Sequence, residues 1–176
     1  MPTSRLPVSA LPTAYVVLRI LIILNWLFGA AILALLVFAF INEPWMMTAL
    51  GVPPSPETRP LITGMRAIAA LGLVAIPLNF TILDRLLAMV TTVRAGDPFV
   101  PANASRLQTI AWVLLALQIL SLVISWIGKA VSTAGQPLHL DAGFSISGWL
   151  AVLLTFVLAR VFAEGTLMRE DLEGTV

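Results

Sequence analysis

The sequence predicts an all-α integral membrane protein: a four-helix bundle with both termini in the cytoplasm and helices 2, 3 and 4 extended on the cytoplasmic side. Three observations predict it. First, 59% of the 176 residues are hydrophobic and only 11% are charged, against roughly 25% charged in a soluble domain, and the mean hydropathy is +0.99. Second, four apolar segments, 14–40, 65–84, 107–127 and 143–163, each reach the roughly 20 residues that a helix needs to cross a bilayer core. Third, the basic residues divide unevenly between the two sides those spans define. Arg5, Arg19, Arg85, Arg94, Arg106, Arg160 and Arg169 fall on one side, and Arg59, Arg66 and Lys129 on the other. By the positive-inside tendency the richer side, with both termini, is cytoplasmic.

Composition also removes whole classes of function. A net charge of +1 gives no long-range attraction for a polyanion, so direct nucleic-acid binding is not expected. With no cysteine and a single histidine, His139, there is no disulfide, no thiolate chemistry and no expected metal or cofactor site. No acidic residue lies inside an apolar core, as a proton-coupled transporter would want. No serine–histidine or paired-aspartate arrangement occurs at membrane depth, so no enzymatic activity is expected.

The first span follows Arg5 and runs from near Tyr15 to about Phe40, well beyond the roughly 7–15 apolar residues of a signal peptide, and reads as a retained helix. The loop after it carries Trp45 and Met46–Met47, which are expected to rest in the membrane interface. Arg19 and Arg66, each near the end of a span, are expected to extend their head groups toward the lipid surface. Asn25, Asn79 and Gln118 read as interhelical hydrogen-bond partners.

The second span does not stop at the membrane edge. "DRLLAMVTTVR" keeps Leu86, Leu87, Met89, Val90 and Val93 with no breaker before Gly96, so the helix is predicted to run to Arg94 and to overshoot a core of about 30 Å. In "AGDPFVPANASRLQTIAW", Gly96 reads as the C-cap, Asp97–Pro98 as a turn, and Asn103 or a neighbour as the cap of the next helix, with Pro101 near its start. The hairpin occupies residues 85–106.

The fourth span continues in the same way as a tail over 164–176, where "LARVFAEGTLMREDL" carries an apolar stripe at Leu158, Val161, Met168 and Leu172. Gly165 lies in that stretch as a place for close approach or a weak point in the helix. Within the span, Gly143, Ser147, Ala151, Thr155, Ala159 and Ala163 recur at every fourth position. In lipid, such small-residue faces let backbones approach, so this ladder is expected to pack on a neighbouring helix of the chain or on a second copy. Ser121 and Ser125 repeat it in the third span. Asp84 and Arg160, at one expected depth, form a candidate ion pair.

Two patterns together resemble the domain-of-unknown-function 2975 family of bacterial four-span inner-membrane proteins, with the likeness extending over essentially the whole chain. One is Gly96, Pro98, Phe99, Asn103, Arg106 and Leu107; the other is Phe162, Gly165, Leu167, Asp171, Glu173 and Thr175. No activity is established for that family. Its members are often accompanied by a very small helix-turn-helix regulator, which implies a membrane protein that holds or senses for a DNA-binding partner. On that expectation the partner interface consists of Gly96, Pro98, Phe99, Asn103, Arg106, Leu167, Met168, Asp171, Leu172, Glu173 and Thr175. Phe99, Leu167, Met168 and Leu172 supply apolar contact, while Arg106, Asp171 and Glu173 orient the partner. The plainer alternative is that loop and tail pack only on each other, with Phe99 covering the tail's apolar stripe. Two further classes stay open: a small oligomeric transporter or channel with a polar path past Asn25, Asn79 and Gln118, and a protein that binds lipid or another hydrophobic ligand between its helices.

Overall fold

The computed structural model describes residues 10–49, 59–132 and 143–173. They form five helices: α1 (Ala10–Ile41), α2 (Glu43–Ala49), α3 (Arg59–Arg94), α4 (Pro101–Val131) and α5 (Ile146–Glu173). Four of these, all but α2, are long and apolar enough to cross a membrane. The 36 residues of α3 amount to about 54 Å at a rise of 1.5 Å per residue, far more than a hydrocarbon core of about 30 Å.

The long helices pack in chain order, α1 on α3, α3 on α4 and α4 on α5; among the described residues no close approach joins α1 to α4 or α5, or α3 to α5. The four helices thus make an open row. Its consequence is visible on α1, where large apolar side chains such as Val17, Ile23, Leu27, Phe28 and Leu35 remain exposed. In water this would be untenable, but lipid tails are as apolar as leucine, so such a face carries no penalty in a bilayer.

The α1–α3 contact is a single seam, in which Leu18, Ile22, Asn25, Gly29, Ile32 and Leu36 are the more buried positions of α1. Their spacing of three and four residues keeps one stripe on the partner helix. The helices approach closely at Gly29, where an added methyl group would lie 2.9 Å from Ile76 Cγ2. Beside it Asn25 Nδ2 donates to the Ile76 carbonyl at 3.0 Å, just ahead of Pro77 within α3. At the other end of α3, Gly64 approaches Val131 of α4 so closely that a methyl group would meet Val131 Cγ1 at 2.6 Å.

Helix α2 is an element that hydropathy did not reveal. It tucks Met47 inward and sets the ring of Trp45 edge-on to Phe38, with centroids 5.0 Å apart; of the Met46 side chain nothing is described. The fourth span also begins later than expected. Gly143 precedes α5 with φ +141°, and its N–H donates to Ser121 Oγ at 3.1 Å. Ser145 then caps the helix by accepting from the Gly148 N–H at 3.1 Å. His139 lies outside the described residues.

Candidate functional site

At one end of the row the α3–α4 hairpin meets the last turns of α5. Helix α3 stops as the glycine signal requires: Gly96 takes φ +86°, its N–H donates to Val93 O at 3.1 Å, and the Asp97 N–H donates to Thr92 O at 3.1 Å. These two bonds satisfy carbonyls that a helix end otherwise leaves open. Helix α4 restarts with Pro101 at its first turn and Val100 as the N-cap, with no side-chain cap.

The expected cap, Asn103, has another task two residues into the helix. It is completely buried. Its Nδ2 donates to Pro98 O and to Thr92 Oγ1, both at 2.8 Å. Its Oδ1 accepts from Arg106 Nη1 at 2.7 Å, and Thr92 Oγ1 in turn donates to Met89 O at 2.8 Å. One amide therefore ties the last turn of α3, the turn after it and the second turn of α4 into a single unit. A buried polar group makes this favourable only because each of its atoms finds a partner. Arg106, expected to face a partner, is instead half-buried and committed to Asn103, with a longer contact of 3.4 Å to Ala88 O.

The tail of α5 is clamped to this unit at two points. The ring of Phe99 packs on Phe162 with centroids 5.3 Å apart. It also lies over Gly165, where a methyl group would come within 3.3 Å of Phe99 Cδ1. A short ion pair joins Arg169 Nη1 to Asp97 Oδ1. Phe162 stands in the second family pattern and Arg169 in the charge count, but neither is marked there as a contact of the hairpin, and Thr92 is not singled out at all, since nothing in its spacing distinguishes it from other helix residues. Phe99 does not cover the stripe of Leu158, Val161 and Met168, because those three side chains are exposed. Leu167 and Met168, 59% and 62% exposed, are likewise left open. Thr175 lies outside the described residues, as do the side chains of Asp171, Leu172 and Glu173.

A groove of about 350 Å³ opens beside the clamp, lined by Ala104, Ser105 and Gln108 of α4 and by Phe156, Arg160 and Ala163 of α5. Phe156, Arg160 and Ala163 share one stripe of α5 with Leu167, by the three- and four-residue spacing of a helix face.

Two expectations are corrected here. Arg160 pairs with Glu164 one turn along at 2.7 Å, not with Asp84, because α3 and α5 are not neighbours in the row. Of the small-residue ladder, only the later members reach the packed face: Ala159 is buried, whereas Ser147 and Ala151 are exposed and Gly143 precedes the helix. A close approach of α5 to α4 falls at Gly148, outside the ladder, where an added methyl group would collide with the side-chain amide of Gln118. Gln118 is accordingly separated from Asn25 and Asn79, which line a different groove of about 670 Å³ between α1 and α3. The three do not share a path.

Four helices able to span a bilayer, stacked in a row with lipid-suited outer faces, define a multi-pass membrane protein. The chain belongs to the family of proteins of unknown function DUF2975, whose model matches residues 47–176. The match takes in α3, α4, α5 and both of the motifs above and leaves α1 outside, so it is shorter than the whole-chain likeness expected. Comparison with curated proteins and with solved structures finds no match.

Proposed function

We propose that this is a non-enzymatic protein of the bacterial inner membrane whose hairpin end faces the cytoplasm and docks a small helix-turn-helix regulator. The observation that supports this reading is the groove between α4 and α5 together with Leu167. Ser105, Gln108 and Arg160 give it hydrogen-bonding and charged groups, and the stripe of α5 that forms its wall continues into an exposed leucine. An apolar anchor with a polar rim suits a helix of a partner laid into the groove. The clamp fixes the groove's shape before binding, which lowers the ordering cost of association. The excess of arginine at this end supports the cytoplasmic orientation.

Affinity isolation of the detergent-solubilised protein from its own cells tests the proposal, with a photo-crosslinking residue at Ser105 and, separately, at exposed Ile23 of α1. A small soluble DNA-binding protein crosslinked from position 105 and absent from position 23, and lost on Leu167→Asp, is the expected result. Recovery of no soluble partner with the clamp intact would leave loop and tail as mutual packing only and overturn the proposal.

A second reading, binding of a hydrophobic small molecule, is favoured by one feature. A cleft of about 510 Å³ lies between α1 and α3, lined by Ile32, Leu36, Trp45, Met65, Ile68 and Gly72 among others, within the roughly 300–1,000 Å³ usual for ligand pockets.

A further inference from the structure

The two ends of the α1–α3 seam carry the same pairing of arginine with an aromatic ring, but among the described residues only one of them is electrically complete. At the α2 end, Arg66 stacks on Phe40 with its Cζ 4.6 Å from the ring centroid. Its Nη2 donates to Glu43 Oε2 at 2.9 Å and to Ala39 O at 2.8 Å, so the charge is balanced within the chain. At the hairpin end, Arg19 of α1 and Arg94 of α3 both converge on Tyr15, with Cζ 5.0 Å and 5.2 Å from the centre of its ring. Among the described residues neither has a carboxylate or carbonyl partner, and both are exposed. Guanidinium stays charged at any relevant pH. Two like charges are therefore held on one ring, within about a Debye length of each other, with no counter-ion among the described residues.

The spacing along α3 says where this unbalanced pair lies. Arg94 follows Arg66 by twenty-eight positions, about 42 Å of helix, which matches a bilayer of about 40–45 Å measured through both head-group layers. With Arg66 in one head-group layer, the Tyr15–Arg19–Arg94 cluster falls in the other, at the mouth of the α1–α3 seam and next to lipid-facing surface.

We propose that Arg19 and Arg94 form a binding site for the phosphate of an anionic phospholipid, with Tyr15 as the platform that holds both guanidiniums in place. Each guanidinium offers paired N–H donors that match phosphate oxygens. The ring binds each cation through its face and leaves those donors turned outward. Basic pockets between membrane helices at this depth are suited to acidic lipid head groups. The inference holds for either orientation of the chain in the membrane. It goes beyond the regulator proposal, since it uses neither the groove nor the clamp.

The test is lipid binding to the purified full-length protein in dodecyl maltoside, followed by native mass spectrometry and by thermal unfolding. The probes are phosphatidylglycerol as the anionic lipid, phosphatidylcholine as the zwitterionic one and inorganic phosphate as the free anion. Wild-type protein is expected to retain and be stabilised by phosphatidylglycerol in preference to phosphatidylcholine. Arg19→Gln with Arg94→Gln is expected to weaken phosphatidylglycerol binding about thirty-fold, and either change alone about fivefold, with phosphatidylcholine binding unchanged. Because both side chains are exposed, the double variant should keep the unfolding temperature of the lipid-free wild type. Tyr15→Phe should bind as wild type and Tyr15→Leu more weakly. An unaltered preference in the double variant would overturn the proposal. So would an equal loss in Arg85→Gln, an exposed arginine away from the ring, or equal stabilisation by inorganic phosphate.

Discussion

The α3–α4 junction and the α4–α5 junction join long helices of the same apolar character, yet they are held by opposite means. At the first, a buried amide reaches out and ties three segments together through Thr92, Pro98 and Arg106. At the second, a side chain is missing: Gly148 leaves the space that Gln118 occupies. In a bilayer, burying leucine against leucine gains little over leucine against lipid. Helix order and depth are therefore decided by the few residues that are either polar or absent, and the two junctions show the two kinds. Their mutational responses should differ accordingly, one failing on loss of a group and the other on gain of one.

The largest effect is expected at Asn103. Asn103→Leu removes both donors and the acceptor of Arg106 in one step, leaving a guanidinium and the Pro98 carbonyl without their partner. The cost of such a loss is about 3 kcal/mol, readable as a drop in stability in reversible unfolding from mixed detergent–dodecyl sulfate micelles. Asn103→Asp keeps the acceptor for Arg106 and should cost less than half as much. Equal losses in the two variants would mean that the pocket's shape, and not its hydrogen bonding, holds the junction.

The contrast also explains which parts of this molecule could be read from its sequence. Helix α3 ends where expected because Gly96 and Pro101 act through backbone chemistry, which is local and does not depend on what lies across the interface. Packing partners are not local. The ladder from Gly143 to Ala163 advances four residues per step on a helix of about 3.6 per turn, a drift of roughly 40° each time. It therefore starts off the contact face and reaches it only in its later members; that face runs through Gly148, Val152, Thr155, Ala159 and Thr166, with steps of three, four and seven. Asp84 and Arg160 were matched by depth alone, and depth is silent about the order of helices in a row. The role of Asn103 in tying the hairpin together could not be read either, because its two nearest helpers, Thr92 and the Pro98 carbonyl, carry no distinguishing pattern. In a soluble protein the exposed stripe of α5 would have pointed inward; here hydrophobicity is spread around the helix and says only that lipid is near.

Next in size is the gain-of-atoms test at the second junction. Gly148→Leu should cost about 2 kcal/mol by overpacking against Gln118. Ser147→Leu and Ala151→Leu, on exposed positions of the same helix, should each stay within about 0.5 kcal/mol. A large cost for Ser147→Leu or Ala151→Leu, together with a fall in molecular mass by light scattering, would assign that side of the ladder to contact with a second copy.

Phe99→Ala should follow at about 1 kcal/mol, the worth of an aromatic pair with one ring half open to its surroundings. Its more telling readout is local. With the ring gone, Gly165 loses the group seated on it, and the last turns of α5 should exchange their amide protons faster, while protection of α3 and α4 near Asn103 stays at the wild-type level. Loss of protection on both sides would join tail and hairpin into one cooperative unit and remove the distinction between clamp and core.

The smallest effect belongs to the ion pair of Asp97 with Arg169. Both side chains are more than two-fifths exposed, so solvent screens them, and a pair of this kind contributes at most about 1 kcal/mol. Asp97→Asn should leave global unfolding within error of wild type. Asp97 nevertheless sits between the C-cap glycine and Pro98, at the point where the hairpin reaches toward the tail. Its charge is therefore better placed to orient Arg169 than to stabilise the fold. Spin labels at Ala104 and Met168 should report a broader distance distribution in Asp97→Asn than in wild type at low salt, and wild type should approach that breadth as salt is raised. A distribution unchanged in width would show that Phe99 alone seats the tail, and it would move the whole of the clamp onto the aromatic contact.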